Sequence, residues 1–458
     1  MYDTIIIGAG MSGLAAGIRL AHFDKKVCIL ERHSSIGGLN SFYRIGRRHF
    51  DVGLHAVTNY VPKGARQGPL VRLLRQLRMR WEELALVPQR VSEIRFPGVS
   101  LEFSNELGLL ESQIREKFPG QVDGFRRLVG QLADYAQLGG EGSRLSAREI
   151  VGGLLGDRLL SEMLFCPVLF YGGYRERDVD FTQFSILFRS IFLEGLARPL
   201  AGVRLILKTL VKKFKGLGGE LRLRSGVARI AAEQGVARTV VLEDGSRLEA
   251  RQVLSSAGWQ ETMRLCGGAA GAAPEKAGEL SFVESISVLD TQPRALGHER
   301  TMVFFNDSQR FAYEKPDELV DLRSGVVCAP NNFGYEEPPG EGLMRITALA
   351  NYDRWASLDE RSYRLAKLRC YDGLADSAVR FVPDFRSAVI ETDIFTPRTI
   401  RRFTGHDKGA VYGSPEKRYD GTTPLANLFV CGTDQGLVGI VGSLISGITI
   451  ANRHLLNN

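Results

Sequence analysis

Three glycines near the start of the chain carry the first chemical signal. Gly8-Ala9-Gly10-Met11-Ser12-Gly13 has the spacing G-x-G-x-x-G and follows the apolar run Thr4 to Ile7 directly, with a helical stretch after it. In that setting Gly8 permits a tight turn and Gly10 lets the backbone approach a pyrophosphate. Gly13 lets the helix pack on the strand. The N–H groups of the first helical turn, that of Ser12 among them, then face the phosphates with the positive end of the helix dipole behind them. Glu31 closes the next strand, where a carboxylate accepts both hydroxyls of an adenosine ribose and repels a 2′-phosphate.

This fingerprint serves NAD and FAD alike, and three later segments decide between them. Glu31-Arg32 is followed by Gly37-Gly38-Leu39 and by Phe50-Asp51-Val52-Gly53, a run that carries the chain along the pyrophosphate and ribityl side of an extended flavin. Gly226-Val227-Ala228-Arg229-Ile230, Asp244-Gly245 and Ser255-Ser256-Ala257-Gly258 have the strand, hairpin and strand form that covers an adenine. Near the other end, Cys431-Gly432-Thr433-Asp434 leads to Gly439-Ile440-Val441-Gly442-Ser443. There Asp434 is expected to hold a ribityl or phosphate-side hydroxyl, and the helix opening at Gly439 to stabilise negative charge at the N1/O2 edge of a reduced flavin. The expected cofactor is FAD. Cys431 is not at a position tied to flavin attachment, so noncovalent binding is expected.

The elements that must position these residues begin with a strand, helix and strand unit over residues 4 to 31. Apolar positions Leu70, Leu73, Leu74, Leu77, Trp81 and Leu84 fall at helical spacing among Arg72, Arg75, Arg78 and Arg80, which predicts one amphipathic basic helix from Leu70 to Leu84. Further helices are expected at 107–116, 124–137, 181–196 and 200–217. Strands are expected at 220–223, 240–242, 253–254, 281–288, 302–305, 343–350 and 427–430, and Ala269 to Ala273 reads as a surface turn. The expected fold is α/β: a Rossmann-like FAD-binding domain of the glutathione reductase type, assembled from 1–65, 199–275 and 401–458. A mixed α+β substrate domain is expected from 66–198 and 276–400.

The 458 residues are 44% hydrophobic and 24% charged, a globular composition. Six cysteines with no Cys-x-x-Cys pair give neither a zinc ribbon nor a disulfide framework. Reduced thiols and a strand at residue 2 point to a cytoplasmic location, with the inner face of the membrane as a second site of residence. The net charge of +7 favours anionic surfaces. Lys63, Arg66, Arg72, Arg75, Arg78 and Arg80 would rest on acidic headgroups while Leu73, Leu77 and Trp81 dip inward, or the same positions form a solvated face on a core helix. Nucleic acid is not an expected partner, because no basic and aromatic residues interleave as base stacking requires. The apolar stretch Gln435 to Asn452 approaches membrane-spanning length, but its glycines mark it as a buried cofactor helix.

Together the segments at 3–58, 200–260 and 400–455 resemble the FAD-containing amine oxidase and phytoene desaturase superfamily. Within it the chain is most similar to the carotenoid desaturase, carotenoid isomerase and retinol saturase branch, through Phe50-Asp51-Val52-Gly53-Leu54-His55 and the Gly439 to Gly447 tail. The resemblance implies FAD contacts at Gly8, Gly10, Gly13, Glu31, Arg32, Gly38, Val227, Gly432 and Asp434. It also implies a long apolar isoprenoid or polyene substrate that exchanges a hydride with flavin N5 in desaturation, saturation or isomerisation. Leu164 to Gly173 and Phe181 to Leu196 are apolar and aromatic enough to line a tunnel or to fill a core. His55 is the candidate catalytic residue and Tyr171, Tyr174 and His406 are weaker ones. Many relatives carry Arg after the paired glycines where this chain has Leu39-Asn40. That departure counts against an amine oxidase, which stays open beside a non-catalytic flavin scaffold. The oligomeric state is not legible.

Overall fold

The computed structural model describes residues 1–53, 55–135, 145–267, 276–338 and 340–456. The chain opens with β1 (Tyr2–Ile7), α1 (Met11–Ala21) and β2 (Val27–Leu30). The strands are parallel, with Thr4 opposite Val27 and Ile7 opposite Leu30. Both are buried on both faces from Thr4 onward, which is why they read as unbroken apolar runs. A hairpin of β3 (Phe42–Ile45) and β4 (Arg48–Asp51) leads to α2 (Pro69–Leu77) and the short β5 (Leu86–Pro88). A second hairpin, β6 (Ser92–Phe96) and β7 (Val99–Phe103), precedes α3 (Leu107–Lys117), α4 (Val122–Tyr135), α5 (Ala147–Leu154), α6 (Arg158–Gly172) and α7 (Phe181–Phe188).

The chain then returns to the first sheet. After β8 (Ala197–Pro199) and α8 (Val203–Gly216) come β9 (Glu220–Arg222), β10 (Val227–Glu233), β11 (Val236–Leu242), β12 (Arg247–Ser255) and α9 (Trp259–Cys266). Beyond them lie β13 (Ser281–Leu289), β14 (Met302–Asn306), β15 (Ser324–Cys328), β16 (Gly342–Ala350), α10 (Tyr352–Ala356), α11 (Glu360–Ala378), β17 (Val389–Phe395) and α12 (Pro397–Thr404). The last elements are β18 (Leu428–Val430) and α13 (Gly439–Ile450).

The first sheet runs β10-β11-β12-β1-β2-β9, with β18 also on β12. Its centre is parallel: Ile7 faces Ser255 on one side and Leu30 on the other, and Ser255 faces Val430. This is a Rossmann-type sheet whose strands come from three separated stretches of chain. Helix α13 closes against α1 so tightly that a Cβ on Gly447 would stand 2.0 Å from the carbonyl oxygen of Ser12. The second sheet runs β17-β13-β16-β15-β14-β6-β7. Along β14 successive side chains take opposite faces. Met302 and Phe304 join the core shared with α6 and α7, while Val303 and Phe305 join the core under α11. The glycine-rich tail is a buried helix, and no helix among the described residues is long and apolar enough to cross a membrane.

Several boundaries differ from expectation. The basic helix stops at Leu77, because Arg78 turns left-handed at φ 50°, and Trp81–Leu84 form a separate short turn. Leu73 and Leu77 are buried in the nucleotide-domain core with α1 and α13, and Trp81 packs against the same core. They have no apolar face to offer a bilayer. Helix α8 starts at Val203 rather than at 200, since Gly202 has φ 68° and the Asp51 carboxylate caps the amide of Val203 at 3.0 Å. The helix expected over 181–196 is α-helical to Phe188 and continues as a π turn to Leu193. The turn expected at Ala269 to Ala273, the end of the 124–137 helix and Leu54 lie outside the described residues.

Candidate functional site

A cavity of about 260 Å³ opens beside the first turn of α1. Gly8, Gly10 and Ser12 line one wall, Glu31 and Arg32 a second, and Gly37, Gly38 and Leu39 a third. Val227, Ala257 and Gly432 complete it from distant parts of the chain. Sequence spacing had selected all eleven, and the parallel sheet brings them together at its carboxyl edge. Their chemistry fits a dinucleotide. A Cβ on Gly10 would meet no protein atom within 4 Å, so this backbone borders open space, as close approach of a diphosphate requires. The N-terminus of α1 has no side-chain cap and its amides are free to bind anions. Glu31 accepts the amides of Ala9 and His33, each at 2.9 Å, and each oxygen keeps a lone pair for a ribose hydroxyl.

Four expected residues lie elsewhere. Gly13 is internal, where a Cβ would stand 2.1 Å from the Gly8 carbonyl oxygen. Gly258 makes a left-handed turn at φ 101° ahead of α9, and Val441 is buried in the core between helices. Asp434 is turned away from the cavity. It accepts the amides of Trp259 at 2.5 Å and Ser414 at 2.7 Å, which ties α9 to the loop at 414. Thr433, one residue earlier, lines the cavity instead. Its hydroxyl directly after Gly432 is the sequence signal for that position. Ser443, from the segment opening at Gly439, and His406, a weaker catalytic candidate, also line this cavity. His406 stands 3.7 Å from Glu261. Burial alone would lower its pKa, but the Glu261 carboxylate outweighs that and holds it above the ordinary value.

A second cavity, of about 160 Å³, shares the wall residues Leu39, Asn40, Thr433 and Ser443 with the first. Gly439 and Ile440 bring the start of α13 to it, and that helix end too has no side-chain cap. Phe170, Tyr171, Phe282, Phe395, Val411 and Tyr412 give it apolar walls. Of the two segments expected to line a tunnel, only Phe170 and Tyr171 reach it; the buried apolar residues of both, such as Leu164, Phe184, Phe188 and Phe192, belong to the core around α6 and α7. Tyr412 donates its hydroxyl to the Phe170 carbonyl, and the Tyr171 hydroxyl faces the Met302 sulfur at 3.3 Å. Burial pushes both phenols far above their ordinary range, so they stay neutral. Tyr174 donates to Asp180 and lines neither cavity.

One wall is polar. His55, Thr58, Glu284 and Thr347 line it, with His55 Nε2 2.9 Å from Thr347 Oγ1 and 3.4 Å from Glu284 Oε2. Arg345 pairs with Glu284 behind the wall, its Nε 2.8 Å from Oε1, and donates to the Asp51 carbonyl at 2.9 Å. Asp51 in turn holds Arg198 at 2.5 Å. Burial would raise the Glu284 pKa, yet Arg345 and then His55 bring it down to about 2. It remains a carboxylate and an acceptor. Outside both cavities Lys417 donates to the carbonyls of Tyr412 at 2.6 Å and Thr433 at 3.1 Å, which links their two walls. Burial pushes its ammonium down to about 8.

A family model described as flavin containing amine oxidoreductase matches residues 11–454. The chloroplastic prolycopene isomerase of Arabidopsis thaliana is 22% identical over 99% of this chain and 82% of its own length. All-trans-retinol 13,14-reductase of Danio rerio is 23% identical over 99% and 86%. Among solved structures, cyclohexylamine oxidase from Brevibacterium oxydans superposes with a TM-score of 0.64 at 14% identity, covering all of this chain and 99% of that one; this likeness concerns the fold.

Proposed function

The chain belongs to the flavin containing amine oxidoreductase family, an FAD-dependent oxidoreductase, and from that premise we propose that its substrate is a long apolar polyene or isoprenoid. The observation that carries this reading is an apolar cavity that shares the wall residues Leu39, Asn40, Thr433 and Ser443 with the cofactor cavity. Relatives named for prolycopene and all-trans-retinol support the substrate class. Bound FAD would supply hydride exchange with an allylic carbon of such a chain. Gly8, Gly10, Ser12, Gly37 and Gly38 would hold its diphosphate side, Glu31 and Arg32 the adenosine, and Val227 and Ala257 the adenine flank. Thr433 and Ser443 offer hydroxyls near the ribityl side, and Gly439 and Ile440 present the amides of the α13 N-terminus.

Chain groups would do the rest. Phe170, Tyr171, Phe282 and Tyr412 exclude water from a charge-deficient polyene. His55, whose Nε2 is engaged by Thr347 and Glu284, would offer its other ring nitrogen to a polar end group of the substrate. Glu284, held as a carboxylate at neutral pH by Arg345, would orient the imidazole without moving a proton. Amine oxidation is the second reading, because Tyr171 and Tyr412 stand in the same cavity as Gly439 although no aromatic pair is close to the final helix in sequence. The Glu284 charge is neutralised by Arg345, which leaves no counter-charge for an ammonium group. The test is turnover of FAD-loaded protein with a panel of polyenes, isoprenoids and amines, followed by peroxide release and product mass. A mass change of two hydrogens or a geometric isomer in a polyene supports the proposal, and peroxide release with an amine alone overturns it. A flavin that no reductant bleaches would mark a scaffold.

A further inference from the structure

We propose that His406 is the cationic contact for the diphosphate of FAD, so that the grip on the cofactor weakens as pH rises. The inference rests on the cofactor reading of the first cavity and is independent of the substrate. A diphosphate brings negative charge to a wall built from Gly8, Gly10, Gly37 and Gly38, whose backbone amides supply dipoles but no net charge. Leu39 and Asn40 continue that wall and add no cation. Among the described residues lining this cavity, the side chains that carry or take up positive charge are Arg32, Arg264, His33 and His406. Arg264 pairs with Asp407. Arg32 is exposed and reaches the carbonyl of Arg402 at 3.5 Å, and both arginines also border a groove outside the cavity. His33 packs on the Phe403 ring.

His406 stands at the phosphate wall. The turn from Ser256 to Gly258 rests on Gly8, with Ser256 Oγ 2.9 Å from the Ile7 carbonyl and 3.3 Å from that of Gly8. His406 Nδ1 lies 3.2 Å from the point a Cβ on Gly258 would take. The imidazole therefore packs over the turn that buttresses the first glycine, and it lines the cofactor cavity but not the apolar one. Nδ1 faces Glu261 at 3.7 Å, and the same carboxylate oxygen accepts the Asp407 amide at 2.8 Å, which fixes ring and loop together. Nε2, across the ring, has no hydrogen-bond partner among the described residues, and the side chain is 12% exposed. That nitrogen is free to donate to a phosphate oxygen. The charged groups facing the ring are Glu261 on α9, Asp434 after β18 and Asp407 on its own turn. Arg264 is spent on Asp407, and Arg32 stands beside the preceding Gly405. The carboxylates outweigh burial and favour the imidazolium. A phosphate oxygen at Nε2 adds one more anionic neighbour, so proton and cofactor each tighten the binding of the other.

The test is the FAD dissociation constant of the full chain, read from flavin fluorescence on dilution of the loaded protein between about pH 6 and 9. The parent is expected to bind FAD about tenfold or more weakly at the upper end, the loss of one charge-assisted hydrogen bond. His406→Gln should bind at that weaker level throughout, with no pH dependence. Glu261→Gln, which removes the nearest carboxylate, should move the decline to lower pH. A His406–Glu261 pair that only ties the loop to α9 would lower the thermal midpoint of both variants and leave the pH profile of affinity where it was. A parent affinity flat in pH overturns the proposal. So does a decline that survives His406→Gln, which would assign it to His33 and its unpartnered Nε2. Should His406→Gln fail to fold, Glu261→Gln decides alone, and an unmoved decline overturns the proposal. Gly10→Val separates this inference from the cofactor reading: FAD affinity unchanged by that variant refutes the cavity as the cofactor site, whereas affinity lost there and kept in His406→Gln refutes His406 alone.

Discussion

Replacing Arg345 by Met should destabilise the protein through a carboxylate it leaves behind. Arg345 and Glu284 are both under a tenth exposed, and Glu284 stands at a pKa of about 2 against an ordinary 4.5. At 1.36 kcal/mol per pKa unit this corresponds to about 3 kcal/mol of interaction favouring the charged form. With Arg345 gone, His55 and the Thr347 hydroxyl remain near the charge, and truncating one side of a buried pair costs about 3 to 5 kcal/mol. Glu284→Gln alone strands the guanidinium and should cost a similar amount. The double variant Glu284→Gln/Arg345→Met removes both charges, so its loss should fall short of the sum of the singles by about 3 kcal/mol. Urea unfolding at neutral pH, followed by circular dichroism, measures all four corners of the cycle. In the parent the Glu284 contribution is complete above pH 4.5 and is lost as pH falls toward 2, and the double variant should lack that part of the acid sensitivity. Strict additivity of the two single changes would refute the pairing and the ionised state assigned to Glu284.

Gly10→Val should leave folding intact, because its Cβ direction is open, while lowering FAD affinity tenfold or more, about 1.4 kcal/mol; bound flavin per chain and the thermal midpoint check the two halves. Gly447→Ala should do the opposite, since its Cβ would stand 2.0 Å from the Ser12 carbonyl oxygen: a loss of roughly 1 to 3 kcal/mol from overpacking, read by urea unfolding. Lys417 binds its proton less tightly in the folded chain than in the unfolded one, so stability should climb as pH rises from 8 toward 10.5, and urea midpoints of Lys417→Met should lack that climb. His55→Phe should weaken binding of hydroxylated polyenes by about 1 kcal/mol and spare hydrocarbon ones, as measured by perturbation of the bound flavin spectrum.

Local patterns carried the nucleotide half of the molecule well. The glycines at 8, 10 and 13 work within a few residues of one strand and one helix, so spacing alone reports their geometry, and Glu31, Gly37 and Val227 follow from the same sheet edge. Asp434 failed because the register of a short turn after Gly432 decides whether residue 433 or 434 faces the cavity, and residue type does not reveal it. The Leu70–Leu84 periodicity was real, but periodicity does not say what covers the apolar face. Here α1 and α13 cover it, and the left-handed Arg78 interrupts the helix. The substrate side was the least legible part. Leu39, His55, Phe170, Glu284, Ile400 and Tyr412 meet in one cavity from six separate stretches, and the pairing of β13 with β16 that sets Arg345 beside Glu284 has no signature in either strand alone.

The most direct measurement is an anaerobic titration of the FAD-loaded protein with a single polyene or isoprenoid, following the flavin spectrum while the lipid product is quantified. The account predicts that one lipid class changes in proportion to flavin: either two hydrogens lost per oxidised flavin bleached, or two gained per chemically reduced flavin reoxidised, or a geometric isomer formed only while flavin is bound. Flavin that responds to amines and to no polyene in either redox state would contradict it.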